Sequence, residues 1–383
     1  MAETSLIEWT DATWNPITGC SVVSPGCTNC YAMKLAGSRL RHISSRAGLT
    51  VDSKNGPVWN GKVRLNEESL SDPLRWKRPR LIFVCAHGDL FHESVPDAWI
   101  DQVFAIMAIT PWHTYQVLTK RAGRMRAYFE ETWQRPAREG FHIGDLSIPA
   151  QPAGIDDRWH QVESAIDALS IPDDARFWTE DGKLLGRPAW PRAPLPNVWL
   201  GVSAEDQVRA NERIPDLLAT PAAVRFLSAE PLIGSINLRR VRISPDHHTI
   251  IDALDGYAVA DRSGVERSML DWVIVGGESG ANARPMHPDW ARSLRDQCRD
   301  AGTPFFFKQW GEWETAIDRD RDDADWRADY SRDFIDRGKS RWINLAGGRG
   351  FHGERFHVMR RVGKKAAGRL LDGVEHSALP KER

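Results

Sequence analysis

The amino-acid sequence predicts an α/β fold, a complete or partial (βα) barrel of TIM-like type whose parallel strands are broken by insertions. Three observations point there. Short apolar runs recur along the chain, helical stretches lie between several of them, and most runs end abruptly in polar or charged residues. The runs are rich in β-branched and aromatic residues, as expected of strands buried on both faces of a parallel sheet. Their alternation with helices through short links gives parallel βα units.

In chain order, a first strand is expected near SLIEWT (5–10). Six runs follow: RLIFVCAHGDLFH (80–92), HTYQVLTKR (113–121), NVWLGVSAED (197–206), AVRFLSAEPL (223–232), DWVIVGGESG (271–280) and PFFFKQWGE (304–312). Ser94-Val95-Pro96 opens a helix with Trp99, Ile100, Val103, Phe104 and Met107 at helical spacing. Pro288 opens another, with Trp290, Leu294 and Cys298 on one face and Gly302 as its stop. These pieces divide the chain into an N-terminal barrel part (1–121), an insertion (122–196), a barrel part (197–235), a small insertion (236–269), a C-terminal barrel part (270–316) and a charged loop with a basic tail (317–383).

Barrel enzymes carry their chemistry on the loops after the C-terminal ends of strands. Those ends supply Asp89 and His92, Lys120 and Arg121, Glu205, Glu230, Glu278, and Lys308 with Gln309. Any one of them alone reads more simply as a polar cap at the surface. Six such ends in succession favour a shared polar cavity, with Asp89, His92 and Lys308 as acid–base candidates. Lys120 and Arg121 suit a phosphate or carboxylate. Glu205 and Glu230 suit hydroxyls or an ammonium group.

Three stretches depart from this rhythm. Residues 122–196 end in LGRPAWPRAPLP and suggest a covering over a barrel mouth or edge. Residues 318–341 mix both charge signs and read as a solvated loop or exposed helix. The tail carries Arg355, Arg360, Arg361, Lys364, Lys365 and Arg369, a phosphate-binding patch or a solvated helix.

The 383 residues carry a net charge of −1, so no overall basic field draws the chain to nucleic acid or membrane. The opening residues lack the basic and apolar regions of a secretory signal, and no apolar run is long enough to span a bilayer. A cytoplasmic protein with no membrane partner is expected. Five cysteines do not make a disulfide framework in a chain of this length. The 17 tryptophans follow no repeat and suit core or pocket walls.

Three of the cysteines cluster in GCSVVSPGCTNCYA (19–32): Cys20, Cys27 and Cys30. Structural zinc takes four N or S ligands, usually as two pairs, so Cys27 and Cys30 with Cys20 and a histidine such as His42 are one possibility. The other is an iron–sulfur cube, whose four irons each normally take a cysteine, so that three thiolates leave one iron open. Gly19 and Pro25-Gly26 give the loop tight turns. Cys85 and Cys298 read as core residues, the first inside a strand and the second on a helix's apolar face.

A three-cysteine loop after the first strand of a (βα) barrel resembles the radical S-adenosylmethionine enzymes. More closely, nearly the whole chain resembles a phage and bacterial family of undefined function known by this three-cysteine motif. The shared stretches are IEWTDATWNPITGC, SPGCTNCYA, DLFHESVPD, LTKRAGRM, PNVWLGVSAED, RFLSAEPLIG, DWVIVGGESG, ARPM, PFFFKQWGEW and GKKAAGRLLDG. The resemblance implies a 4Fe–4S cluster on Cys20, Cys27 and Cys30. Its open iron would chelate S-adenosylmethionine, which one electron from a reductant protein cleaves to a radical that takes hydrogen from the substrate. The spacing here is C-x6-C-x2-C rather than the usual C-x3-C-x2-C, and Asn29 stands where an aromatic residue usually precedes the last cysteine. Gly276-Gly277-Glu278 matches a GGE signature that holds the methionyl amino group. Here it follows the sixth expected barrel strand instead of the second, and reads equally as a glycine turn. The substrate class leans to nucleic acid or nucleotide, for modification or repair. The alternative is a non-catalytic nucleic-acid-associated protein with a structural zinc or iron–sulfur site.

Overall fold

The structure is a computed structural model that describes residues 5, 7–135, 141–143, 146–148, 153–169, 194–243, 250–256, 268–320, 339–348 and 355–380. Its centre is a sheet of seven parallel strands: β1 (Ala12–Trp14), β2 (Leu81–Val84), β3 (Thr114–Thr119), β4 (Val198–Ser203), β5 (Val224–Ala229), β6 (Trp272–Gly276) and β7 (Phe305–Gln309). Each pairs with its neighbours in this order, and the sheet curls into a half-barrel. The parallel α/β reading therefore holds. Among the described residues the sheet stays open between β1 and β7. The end of the chain shields β7, where Phe307 N–H donates to the His376 carbonyl at 2.9 Å and Phe306 bridges Ser377.

The first strand lies later than SLIEWT. Ala12 and Trp14 are fully buried beside Ile82 and Val84 of β2, whereas Trp9 turns into the concave core. Helix α1 (Tyr31–Gly37) follows β1, α2 (Asp97–Ile109) follows β2, and α3 (Ala122–Glu130) with α4 (Arg158–Ala168) follows β3. Helix α5 (Gln207–Ala219) follows β4, and α6 (Pro288–Ala301) follows β6. Both expected helix starts are met, and Gly302 ends α6 at φ 71°, where a side chain would be strained.

Alternation along the strands sorts side chains into two layers. Leu200, Val202, Leu227, Ala229, Val273, Val275, Phe305 and Phe307 join the large core that holds the helices. Trp199, Val224, Phe226, Trp272, Ile274 and Phe306 face inward with Trp9 and Phe83. Trp272 stands at the centre, edge-on to Trp9, Trp199 and Phe306 at centroid distances of 6.1, 6.0 and 6.1 Å. Its indole N–H is spent on the Ala378 carbonyl at 2.8 Å. This aromatic plug closes the concave face below the strand tips. Gly201 makes room for it, since a Cβ there would meet the Phe226 ring at 2.5 Å.

The insertions differ from expectation. Helix α4 packs on α2 in the outer layer, where Arg158 pairs with Asp97 and Asp101 at 3.0 and 3.5 Å. Most of LGRPAWPRAPLP lies outside the described residues. So does most of the charged stretch 318–341, whose described ends belong to a second sheet. That antiparallel sheet has β10 (Arg355–Arg361) between β8 (Trp313–Asp320) and β9 (Ser340–Asn344). The basic tail is thus mainly a strand, followed by a single helical turn at Lys364–Ala367. Cys85 sits just beyond β2 at φ 58°, buried at a turn instead of inside the strand, whereas Cys298 is a core residue as expected. Among the described residues no helix is long and apolar enough to cross a membrane.

Trp272→Ala removes the centre of the plug and should cost about 3–5 kcal/mol, the range for deleting a buried aromatic side chain. Urea unfolding monitored by circular dichroism checks this.

Candidate functional site

Above the plug, at the C-terminal tips of the strands, opens a cavity of about 450 Å³. That lies inside the range of about 300–1,000 Å³ typical of small-molecule pockets. Trp9, Phe83 and Leu118 contribute to its floor. Cys20, Cys27 and Cys30 all line it, together with Asp89, Lys120, Arg121, Glu230, Gly277, Glu278, Lys308 and Gln309. Most of the expected strand ends therefore share one cavity, their polar groups set among apolar and aromatic walls. His92, Glu205 and Gly276 stand behind its wall.

The cysteine loop is fastened to three strand tips, by the buried carboxylates Glu205 and Glu278 and by Arg121, which a third buried carboxylate, Asp89, holds. Beside Cys20, Asp89 accepts from the hydroxyl of Thr119 at 2.7 Å and from the amides of Phe91 and Lys120 at 3.0 and 3.1 Å. It also accepts from Arg121 Nη1 at 3.0 Å. Arg121 in turn reaches Ser21 Oγ at 2.7 Å, Cys20 Sγ at 3.5 Å and both Glu93 oxygens. Beside Cys27, Glu205 accepts from the Gly26 amide at 3.1 Å and from Arg213 at 3.1 Å, with Lys120 Nζ at 3.8 Å. Beside Cys30, Glu278 accepts from Asn29 Nδ2 at 3.0 Å and is gripped by Arg284, whose guanidinium also reaches the Pro25 carbonyl at 2.9 Å.

Asp89 and His92 were expected as acid–base groups, but the structure gives both a holding role. Asp89 accepts from Thr119 and the amides of Phe91 and Lys120 as well as from Arg121, so its oxygens are engaged by the protein. His92 Nε2 meets Ser21 Oγ at 3.0 Å and its Nδ1 accepts the Ser94 amide at 3.0 Å. Burial and the adjacent Arg121 hold the imidazole pKa down, so it stays neutral. Glu205 was expected to bind a ligand, and it too is a clamp. Burial alone would push its carboxyl up, but Lys120, Ser24, Arg213 and the Gly26 amide together hold it below the ordinary range. Gly276 leaves space for Glu230, since a Cβ would lie 3.0 Å from that side chain. Gly277 lies against the Trp310 carbonyl, where a Cβ would fall 2.0 Å away. Gly276 thus packs close to Glu230 beyond β5, and Gly277 close to Trp310 beyond β7.

Among the strand-tip groups, Lys308 and Glu230 form their own pair in the cavity at 2.7 Å. Lys120 is half-buried in the same cavity, and Lys364, which pairs with Glu8 at 3.3 Å, also reaches it.

The thiols are poorly solvated. Burial, then the nearby Asp89, pushes Cys20 up to about 12 despite Arg121. Burial also raises Cys30, although the amides of Met33 and Ala32 oppose it. Among the described residues, no three Cys, His, Asp or Glu ligand atoms around this loop lie within 4.8 Å of one another. Sulfurs around one tetrahedral zinc stand about 3.8 Å apart, given Zn–S bonds of about 2.3 Å. The thiols are thus spread more widely than zinc requires. His42, offered as a fourth ligand, is exposed and outside the cavity wall. Among the described residues the loop thus forms no closed four-ligand zinc site.

Several site residues were not among the expected site groups: Ser21, Asn29, Glu93, Arg213 and Arg284, while Lys364 was expected only as part of the basic tail. Arg213 left a signal, since it falls among Ala210, Ile214 and Leu217 on the buried stripe of α5. Asn29 left another by standing where an aromatic residue was expected.

Glu205→Ala strands Arg213 in the core and should cost about 3–5 kcal/mol, as breaking one side of a buried ion pair does. Denaturant unfolding measures the loss, and faster hydrogen exchange at the Gly26 amide reports the freed loop. The raised pKa of Cys20 means that its thiolate is scarce at neutral pH. In metal-free protein, its alkylation by iodoacetamide should keep rising beyond pH 10, whereas an ordinary cysteine levels off past its pKa of about 8.5. Mass spectrometry of the Cys20 peptide across pH 7–11 measures this.

No curated protein and no solved structure matches the chain. Residues 4–380 match a family described as "Protein of unknown function (DUF5131)". The match spans nearly the whole chain, which therefore belongs to the DUF5131 family.

Proposed function

We propose that this protein is an iron–sulfur enzyme of the radical S-adenosylmethionine type, its half-barrel a partial TIM-like (βα) barrel, with Cys20, Cys27 and Cys30 as ligands of a 4Fe–4S cluster. One observation carries the reading. Three thiols from one loop face the same cavity as the polar tips of the strands, and that loop is pinned to three different strands. When bound, such a cluster supplies the electron for reductive cleavage of S-adenosylmethionine. The electron itself comes from a reductant protein in a reducing compartment, the cytoplasm.

The chain's own residues bind, orient and exclude. Glu230 presents a carboxylate to an ammonium group or to ribose hydroxyls. Lys308 sits 2.7 Å from it and tempers that charge, or holds a proton for the substrate. Lys120 faces a carboxylate or phosphate. The aromatic floor keeps water from below, which protects a reactive species and strengthens charge interactions in the cavity. Lys120, Lys308 and Lys364 around one cavity support a phosphate-bearing substrate, a nucleotide or nucleic acid.

Anaerobic isolation should give brown protein with about four irons per chain, the count of a cubane cluster. Cys27→Ala should abolish the iron. Lys308→Met and Glu230→Gln should keep it while lowering reductive S-adenosylmethionine cleavage by at least about tenfold. Colourless protein holding one zinc that is lost with Cys27 overturns the reading.

A further inference from the structure

Outside the cavity, the start of α6 meets the second sheet through two buried histidines. His287 is the N-cap of α6 and His357 lies on β10, and both are fully buried. Their rings meet edge-on at a centroid distance of 4.4 Å. One ligand atom each from His287, Asp289 and His357 lies within 4.8 Å of the other two, the one such group among the described residues. His287 Nε2 is buried with no hydrogen-bond partner.

We propose that His287, Asp289 and His357 form a site for a divalent cation of zinc type that clips the second sheet to the last βα unit. Two imidazoles and a carboxylate are ligands that zinc accepts at about 2.0–2.2 Å, so the three atoms need only draw in. Partners for those ligands are already in place. Asp289 Oδ2 lies 3.5 Å from His357 Nε2, and Asp318 Oδ1 lies 3.1 Å from His357 Nδ1. A carboxylate behind the far nitrogen of a ligating histidine is the usual outer support of a zinc site, fixing the ring so that Nε2 faces the metal. Arg292 fixes both carboxylates from outside, reaching Asp289 Oδ1 at 2.9 Å and Asp318 Oδ2 at 2.5 Å. The carboxylate side chains are partly exposed, which leaves an entry path.

Binding has one visible cost. His287 Nδ1 now accepts the Asp289 amide at 3.1 Å, the cap bond of α6. Coordination through Nε2 moves the ring proton to Nδ1 and gives up that bond, a small loss beside the free energy of binding structural zinc. Without an ion, two buried rings sit face to edge with an unmatched nitrogen between the two sheets.

The site is independent of the cysteine loop, and the test keeps them apart. The full-length chain is stripped with chelator, then titrated with zinc and with cobalt. Elemental analysis should find one zinc that survives a Cys20→Ser/Cys27→Ser/Cys30→Ser replacement, with a raised melting temperature. Cobalt in the triple-serine chain should give visible ligand-field bands of an N/O site that carry no thiolate charge-transfer band. His357→Gln and His287→Gln should each remove this metal, and Asp318→Asn should weaken binding roughly 10–100-fold, as loss of an outer-shell partner does. Circular dichroism shows whether each variant is folded. A folded wild-type chain that takes up no zinc outside the thiols, or equal binding by the folded histidine variants, overturns the proposal.

Discussion

Three carboxylates buried under one loop govern the rest of this structure. A buried ionised group is costly unless it is paired and hydrogen-bonded. Glu205 and Glu278 meet that condition in part through the loop, since the Gly26 amide and Asn29 complete their surroundings, whereas Asp89 holds Arg121, which itself reaches the loop at Ser21. Displacing residues 20–30 would leave charges inside the protein with fewer partners. The loop is held by electrostatics that the core cannot relax away, and so the thiols keep their places. A site of this kind is organised in advance, which is what the proposed metal centre would demand.

The aromatic plug supplies the other half of that constraint. Strand alternation sends Trp199, Phe226, Trp272 and Phe306 inward, and they fill the concave face well below the tips. Only the layer above them stays open, where the strands end in Ser203, Ser228, Glu230 and Lys308. A curled sheet that remains open on one side still has a single floor and a single mouth. The C-terminal residues that cover β7 also hold the plug through Trp272 and Ala378, so the shield of the edge and the base of the cavity are one assembly.

Much of this was legible in the sequence. The strand runs, both proline-opened helices and the convergence of polar ends follow from local patterns whose period the fold preserves. What those ends do was not legible, because a carboxylate that binds a ligand and one that grips a backbone amide look alike in a linear string. Their difference lies in partners 179 and 249 residues away, as for Glu205 with Gly26 and Glu278 with Asn29. The second sheet escaped for a related reason. Its central strand carries Arg355, Arg360 and Arg361, and such charge density reads as solvated chain until a neighbouring strand and helix supply the missing faces.

The unusual cysteine spacing follows from the same clamps. A loop with three residues between its first two cysteines would have to choose between contacts. Here Ser21 reaches Arg121 beyond β3, Ser24 and Gly26 reach Glu205 beyond β4, and the Pro25 carbonyl reaches Arg284 by way of β6. Those attachment points are the residues that fill the wide gap between Cys20 and Cys27. Asn29 fits the same logic, since an aromatic ring there would forfeit Glu278, the Asn282 carbonyl and Lys34 together. Each departure from the common spacing thus adds a tether. In an open half-barrel, which lacks the ring of neighbouring loops that steadies a closed mouth, tethers are what keep three thiols on one wall.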